Sequence, residues 1–510
     1  MTETLTLTIE DLLARYDRPD ADVAALLCDD HDPDAIAFTV VDVDLSSRAL
    51  TFRELADRSR RFATGLARCG VGRGEAVGVL MGKSSDLVVA LLGIWRLGAV
   101  QVPLFTAFAT PAIELRVRAS GAQVVIADAD QAVKLDPFDD LTVIRGGTEF
   151  AGLIADNEPY EASVAVGGDG TMVQLFTSGT TGTPKGVPVP VRAIAAFHAY
   201  MIYALDVSDE DVFWNAADPG WAYGLYYGLI GPMAIGRPNL LLRAGFSPHL
   251  TLDVMQRFGV TNFAGAPTVY RSLSKDPAIS GVTLRRASSA GEPLTPDVLT
   301  WSARALGVEV RDHYGQTELG MLIVNAWHDA VRQPVVPGSM GTPLPGFSAE
   351  LRDGQIAIAA DSPLFWFDGY VDAPEKTAER FSEDRTWYLT GDTAKVDDEG
   401  RFFFTARDDD VIIMAGYRIG PFDVESVLVT HPQVIDVAVV GTPDELRGEV
   451  LEAYVVLADG VDGTAELEAE LQRLVKTQFA AHAYPRRVHF VDGLPKTPSG
   501  KVQRFLLRQR

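Results

Sequence analysis

A layered α/β architecture, with a large N-terminal part and a small α+β C-terminal part, is the fold class this sequence predicts. Three observations predict it. The chain has 510 residues, more than one compact core accommodates, so several domains are expected. Helix-period and strand-like segments alternate through the first part, the pattern of a mostly parallel sheet. A charged segment, Arg407-Asp408-Asp409-Asp410, then separates a C-terminal stretch with its own strands and helices. The expected division is 1–407, with subdomains at 1–165, 166–330 and 331–407, followed by 408–510.

The elements follow in order. Thr51 to Arg68 has helical spacing, with Phe52, Leu55, Phe62 and Leu66 on one face. Glu75 to Leu80 reads as a buried strand, Ser84 to Leu97 as a helix, and Val100 to Leu104 and Gln123 to Ala127 as further strands. Met172 to Phe176 is an apolar strand-like lead into a polar loop. Val260 to Ala264, Leu284 to Ser288 and Val308 to Tyr314 read as short strands entering loops. Gly354 to Ala359 and Arg401 to Phe404 have an antiparallel character, with Asp397 to Gly400 as a turn. In the C-terminal part, Val411 to Met414, Val434 to Val440 and Val450 to Leu457 read as strands. Pro421 to Leu428 and the amphipathic run Ala465 to Phe479 read as helices.

Composition is that of a globular protein, 47% hydrophobic and 22% charged. A net charge of −24 argues against non-specific nucleic-acid binding and against an anionic membrane surface. The N-terminus lacks a basic-then-apolar signal peptide. The apolar stretch Ala76 to Leu92 is interrupted by Lys83 and Asp86, so no integral membrane span is expected. Cys28 and Cys69 form no C-x-x-C pair, which points to reduced thiols and a cytoplasmic location.

The chemistry starts at Leu175-Phe176-Thr177-Ser178-Gly179-Thr180-Thr181-Gly182-Thr183-Pro184-Lys185-Gly186. Glycines permit tight backbone curvature. Successive N–H groups on such a turn can surround an anion, with hydroxyls and a lysine completing the site. The run reads either as a polyphosphate grip or as a polar surface loop. It is not a Walker A loop, whose spacing is absent. Lysine is scarce, nine residues against 36 arginines, which draws attention to Lys185, Lys496 and Lys501 in or beside glycine-containing loops.

The Thr177–Gly186 run resembles the phosphate-binding signature of the adenylate-forming superfamily, which includes acyl-CoA synthetases, amino-acid adenylation domains and luciferases. Further segments resemble that family in its own order. Ala217-Asp218-Pro219-Gly220-Trp221 is similar to the acyl-pocket segment of acetyl- and medium-chain acyl-CoA synthetases. Ser288 to Leu294, containing Gly291-Glu292-Pro293, is similar to the adenine-binding loop. Tyr314-Gly315-Gln316-Thr317-Glu318 is similar to the aromatic and metal-binding motif. Tyr388-Leu389-Thr390-Gly391-Asp392 resembles the ribose-binding motif. Arg407-Asp408-Asp409 with Gly416-Tyr417-Arg418 resembles the hinge and first loop of a mobile C-terminal domain. Pro495 to Lys501 resembles the catalytic-lysine motif. The resemblance spans nearly the whole chain.

It implies a reaction and a set of roles. A carboxylate attacks the α-phosphate of ATP, giving an acyl adenylate and pyrophosphate, and a thiol then displaces AMP. Thr177, Ser178, Gly179, Thr180, Thr181, Gly182 and Lys185 would hold the outer phosphates. Glu318, with Thr180, would place Mg²⁺, a cation that takes oxygen ligands. Asp392 would accept hydrogen bonds from the ribose hydroxyls. Tyr314 would stack on adenine beside Gly291, Glu292, Pro293, Gly315, Gln316 and Thr317. Arg407 and Arg418 would approach the nucleotide, Asp409 would be the pivot, and Gly416 and Tyr417 would face CoA. Lys501 would contact the carboxylate and the α-phosphate as the bond forms.

The implied substrates are a small carboxylic acid, ATP and CoA. Trp221, Tyr223, Gly265, Ala266 and Gly315 would line the acyl pocket. A tryptophan closes that pocket at the position of Gly315 in acetyl- and propionyl-specific relatives, so glycine there implies a deeper pocket for a medium-chain or aryl acid. A carrier-protein acceptor, a short-chain acid and a non-catalytic nucleotide-binding regulator are the alternatives. The resemblance leaves homo-oligomerisation and regulatory acylation of Lys501 open.

Overall fold

The computed structural model describes residues 7–177, 184–276, 279, 281–407, 410–414, 417–444, 448–480, 483–496 and 502–509. The first expected helix spans Phe52–Arg68. The Thr51 hydroxyl caps it by accepting from the Glu54 N–H, and Phe52, Leu55, Phe62 and Leu66 are buried as their spacing requires. Helix Ser85–Arg96, capped by Ser84, is buried along its whole length from Leu87. Its buried Arg96 is satisfied by Asp29 at 2.7 and 2.8 Å and by the hydroxyls of Ser59 and Ser163.

A six-stranded sheet runs in the order Thr142–Arg145, Val124–Ala127, Ala76–Leu80, Val100–Pro103, Thr171–Thr177, Lys185–Pro190. All neighbours are parallel except the last pair, an antiparallel hairpin. Residues alternate between faces with period two. Val77, Val79, Val124 and Ile126 enter the main core, while Leu80, Val125 and Ala127 enter a second one. Burial on both faces is what a parallel sheet requires.

A thirteen-stranded sheet extends from Ala349–Arg352 at one edge to Ser47–Thr51 at the other. Phe38, Leu241 and Ala264 join the main core, so that core lies between the two sheets. Leu240, Trp214 and Phe263 point to the opposite face. Chain order and sheet membership differ. Strand Ile36–Val41 pairs with Asn239–Leu242, while all six strands of the smaller sheet lie between them in the chain.

After residue 410 a separate core forms. Strands Ile412–Met414, Tyr417–Ile419, Val434–Asp444, Gly448–Leu457 and Arg487–Phe490 make one sheet. Helices Pro421–Leu428 and Ala465–Gln478 contribute Val424, Leu428, Leu467, Leu471 and Val475 to its core. The architecture is thus the expected large α/β part followed by a small α+β part. No helix among the described residues is long and apolar enough to cross a membrane. Cys28 and Cys69 are unpaired thiols, and burial pushes the Cys28 thiol up to about 12.

Candidate active site

The thirteen-stranded sheet changes character at Arg311–Gln316. That strand pairs in parallel with Arg286–Ala290 on one side and antiparallel with Gly320–Val324 on the other. Ligands of open α/β sheets bind beyond the carboxyl ends of parallel strands. Here those ends carry Ala217–Trp221 after Phe213–Asn215, Gly265 and Ala266 after Asn262, Gly291–Pro293 after Arg286–Ala290, and Gln316–Glu318 after Arg311. Parallel registration therefore brings together segments that lie far apart in the chain.

The ribose-type carboxylate is prearranged. Asp392 is 5% exposed. Its Oδ2 accepts from the Tyr314 hydroxyl at 2.6 Å and from Gln316 Nε2 at 2.6 Å. Gln316 is fixed in turn by the Thr390 carbonyl at 2.9 Å and by the Tyr388 hydroxyl, which donates to its Oε1 at 2.9 Å. Both bonds to Asp392 fall on one oxygen, and among the described residues Oδ1 takes none. Burial, with the Asp392 charge beside it, keeps Tyr314 protonated by raising its phenol well above the usual value. Asp392 also stands opposite Arg407 on the neighbouring strand.

Lys185, Tyr370 and Glu318 come together at the ends of the phosphate-type loop. Thr177 and Lys185 are cross-strand partners, so the ends of the phosphate-type loop meet across one strand spacing. Lys185 Nζ lies 4.8 Å from the centroid of the Tyr370 ring. The Tyr370 hydroxyl donates to Glu318 Oε1 at 2.7 Å. Burial, then the charges of Arg380 and Lys376, lower the Lys185 ammonium from its ordinary value. Glu318 is 7% exposed, and among the described residues its Oε2 has no hydrogen bond. No group of three or more His, Cys, Asp or Glu is gathered around a metal position among the described residues. One open carboxylate oxygen suits Mg²⁺ held mainly by phosphate oxygens and water, the usual mode for that ion.

The adenine-type loop is tied to the same strand. Gly291 has φ of +109°, a conformation that favours glycine, with nothing within 4 Å of a notional Cβ. The Glu292 carboxylate pairs through Oε2 with Arg271 at 2.9 Å. The buried Asp312 accepts from Leu294 N–H at 3.0 Å, and burial pushes its carboxyl up to about 8.

On the acyl side, Trp221 and Tyr223 pack against different hydrophobic clusters. Trp221 packs against Phe105 and Phe108, with ring centroids 5.4 and 5.6 Å away. Tyr223 faces the main core instead. The Asn325 carbonyl can only accept, so His313 Nε2 donates to it at 3.2 Å. His313 Nδ1 then accepts from Tyr200 at 2.7 Å, and Tyr200 accepts from Tyr223 at 3.1 Å. Burial pushes this neutral imidazole down to about 3. Tyr223 is the outer member of that chain. Tyr226 donates to the Thr317 carbonyl at 3.0 Å, and Tyr227 accepts from Met321 N–H at 2.7 Å, so this pair holds the 311–324 hairpin. The nearest atoms to a notional Cβ at Gly265 belong to Phe263 and Val269, at 3.4 to 3.6 Å.

Gly315 has a packing reason of its own. A Cβ there would strike the Gly320 carbonyl and lie 2.6 Å from Met321 Cα and 2.7 Å from Met321 Cε. The close approach follows a register shift between Tyr314 and Gly315 in the hairpin. Gly315→Ala is expected to cost about 1–3 kcal/mol of stability through overpacking. An unchanged denaturation midpoint would count against the close approach.

Ser178, Gly179, Thr180, Thr181, Gly182, Asp409, Gly416 and Lys501 lie outside the described residues, as do the side chains of Tyr417 and Arg418. Tyr370 was missed by sequence reasoning. Its hydrogen bond to Glu318, like that of the motif residue Tyr388 to Gln316, spans more than fifty positions, so no local pattern signals it.

Comparison with known proteins agrees with this geometry. The AMP-binding enzyme profile matches residues 28–357, and the AMP-binding enzyme C-terminal domain profile matches residues 423–501. Acetyl-coenzyme A synthetase of Bacillus subtilis (strain 168) is 34% identical over 489 residues, 90% of this chain and 84% of that protein. A crystal structure of a Brucella canis acyl-CoA synthetase is 42% identical with a TM-score of 0.77, covering 99% of this chain and 97% of that one. The anthranilate CoA ligase AuaEII, solved with anthranoyl-AMP, is 26% identical with a TM-score of 0.87, covering 96% and 97%. Fold and site together define an ATP-dependent ligase that forms acyl adenylates. The chain belongs to the AMP-binding enzyme family, in its acyl-CoA synthetase branch.

Proposed function

We propose that this ligase activates a medium-chain fatty or small aryl carboxylic acid and transfers it to CoA. The observation that carries the acyl reading is the Trp221–Phe105–Phe108 cluster, which sets partly buried aromatic rings at the carboxyl end of strand Phe213–Asn215. Aromatic surface of this kind suits an apolar tail or a ring. A shorter acid is the second reading, favoured by Met321, whose methyl group occupies the space beside Gly315.

A carboxylate oxygen forms a bond to the α-phosphorus. The bond from that phosphorus to the bridging oxygen breaks, and its electron pair leaves with pyrophosphate. The CoA thiol gives its proton to water, its sulfur then bonds to the acyl carbon, and AMP departs with the electrons of the acyl–oxygen bond. In this reading Asp392 Oδ1 takes the ribose hydroxyls, while Tyr314 and Gln316 hold the carboxylate in place. Arg407, paired opposite Asp392, approaches the phosphates, with Arg418 contributed from the next part of the chain. Lys185 and the Thr177–Gly182 hydroxyl and amide groups meet the outer phosphates. Glu318 would hold Mg²⁺, which when bound neutralises phosphate charge. Lys501 meets the charge that develops at the α-phosphate. Two unpaired thiols suit a reducing compartment, and we place the enzyme in the cytoplasm.

The test is CoA-dependent release of AMP and pyrophosphate with acetate through dodecanoate, benzoate and cinnamate. A maximum at a medium-chain or aryl acid is expected. A single maximum at acetate overturns the size assignment. AMP release only in the presence of an acyl carrier protein overturns CoA as acceptor.

A further inference from the structure

Arg380 sits beside the phosphate side of the site on a segment that none of the motifs covers. It follows the short helix Pro374–Ala378, and its guanidinium turns inward. Nη1 donates to the Thr390 carbonyl at 3.1 Å, and a Cβ on Gly391 would lie 2.6 Å from the same nitrogen. The guanidinium also interacts with the Tyr370 hydroxyl, the group that donates to Glu318. Lys185 lies over the ring of that same tyrosine. Two cations and one carboxylate therefore converge on a single phenol.

The neighbouring charges are placed differently. Lys376 and Glu379, on the outer face, pair with each other at 2.7 and 3.0 Å, both exposed. Arg380 has no ion pair within direct contact among the described residues, although Glu318 is near enough to act on it. Its repulsion of Lys185 is a cost that the free protein carries. An anion with several oxygens removes that cost by lying between the two cations. Arginine suits the task, because its planar fork matches phosphate geometry.

We propose that Arg380 binds the departing pyrophosphate, sharing the outer phosphates with Lys185. The proposal rests on the ligase reading of the site. It divides labour: Asp392 holds the part of the nucleotide that remains after the first half-reaction, and Arg380 holds the part that leaves. Its bond to the Thr390 carbonyl braces the strand bearing Asp392, so one guanidinium touches both halves.

The test uses Arg380→Gln, which keeps a donor for the Thr390 carbonyl but loses the charge, and Arg380→Lys, which keeps the charge. Binding of magnesium pyrophosphate and of AMP is measured by calorimetry, alongside carboxylate-dependent pyrophosphate–ATP exchange. The glutamine variant is expected to weaken pyrophosphate about ten- to hundredfold, the scale of a lost charge-assisted contact, with AMP affinity unchanged. The lysine variant is expected to recover most of the loss. Thioester formation from supplied acyl adenylate is expected to stay at the wild-type rate. Unchanged pyrophosphate affinity in the glutamine variant overturns the proposal. So does a parallel fall in AMP affinity, which would make Arg380 only a brace for residues 390–392. Absence of exchange in the wild-type protein with every carboxylate overturns the ligase reading, and this proposal with it.

Discussion

Replacement of Lys501 by alanine is expected to lower acyl-adenylate formation by about 10²–10³-fold, the loss typical of removing one preorganised charge-stabilising donor. The argument starts from charge. The protein carries a net charge of −24, yet its substrates include a carboxylate and a polyphosphate. Two anions must meet at one phosphorus, so a cation is needed where their charges add. Lys501 lies in Pro495 to Lys501, the motif that resembles the family's catalytic-lysine segment, within a terminal stretch rich in basic residues. Single-turnover formation of acyl adenylate and transfer from supplied acyl adenylate to CoA separate the two half-reactions. Loss confined to the first is expected. Equal loss in both would mean that Lys501 supports the fold or CoA binding instead.

Asp392→Asn is expected to raise the KM for ATP about ten- to hundredfold, since hydrogen bonds to a charged group are worth about 1.5–3 kcal/mol. The geometry makes the asparagine a clean probe. Tyr314 and Gln316 both donate to Oδ2, and an amide oxygen in that place still accepts from them. The amide nitrogen then replaces Oδ1, and a nitrogen that donates cannot accept from a ribose hydroxyl. Stability should hold while nucleotide affinity falls. Asp392→Ala is harsher, because it leaves the buried Tyr314 hydroxyl without its partner, at about 1–3 kcal/mol of stability. An unchanged KM for ATP in the asparagine variant would remove Asp392 from nucleotide recognition.

What could be read from the sequence followed local physics. Helix Phe52–Arg68 was legible because four large apolar residues share one face. Strands Ala76–Leu80 and Val124–Ala127 were legible because they are short apolar runs bounded by turns. Asn262–Gly265 and Arg286–Ala290 begin two residues later than their apolar runs suggest, since the first residues of each run pack before the ladder starts. Lys185–Pro190 was not legible. Two prolines make it read as loop, yet it is an edge strand, where a missing N–H is tolerated.

The site was legible where motifs are contiguous and opaque where it depends on distant partners. Glu318 and Asp392 fall in contiguous motifs, whereas Tyr370 and Arg380 carry no local signature. At Gly315 the residue type answers to a neighbouring backbone as well as to any ligand, because the hairpin brings the Gly320 carbonyl against it.

The ladder between Trp387–Val396 and Phe402–Arg407 has one more consequence. It contains an irregularity between Thr393 and Ala394, so the alignment of Asp392 with Arg407 depends on an offset built into these two strands together. A hybrid protein joined anywhere between those positions would pair strands from different parents. A slip of one residue there turns every side chain to the other face. Anyone exchanging C-terminal parts among such ligases should treat 387–407 as one indivisible cassette and place the seam outside it.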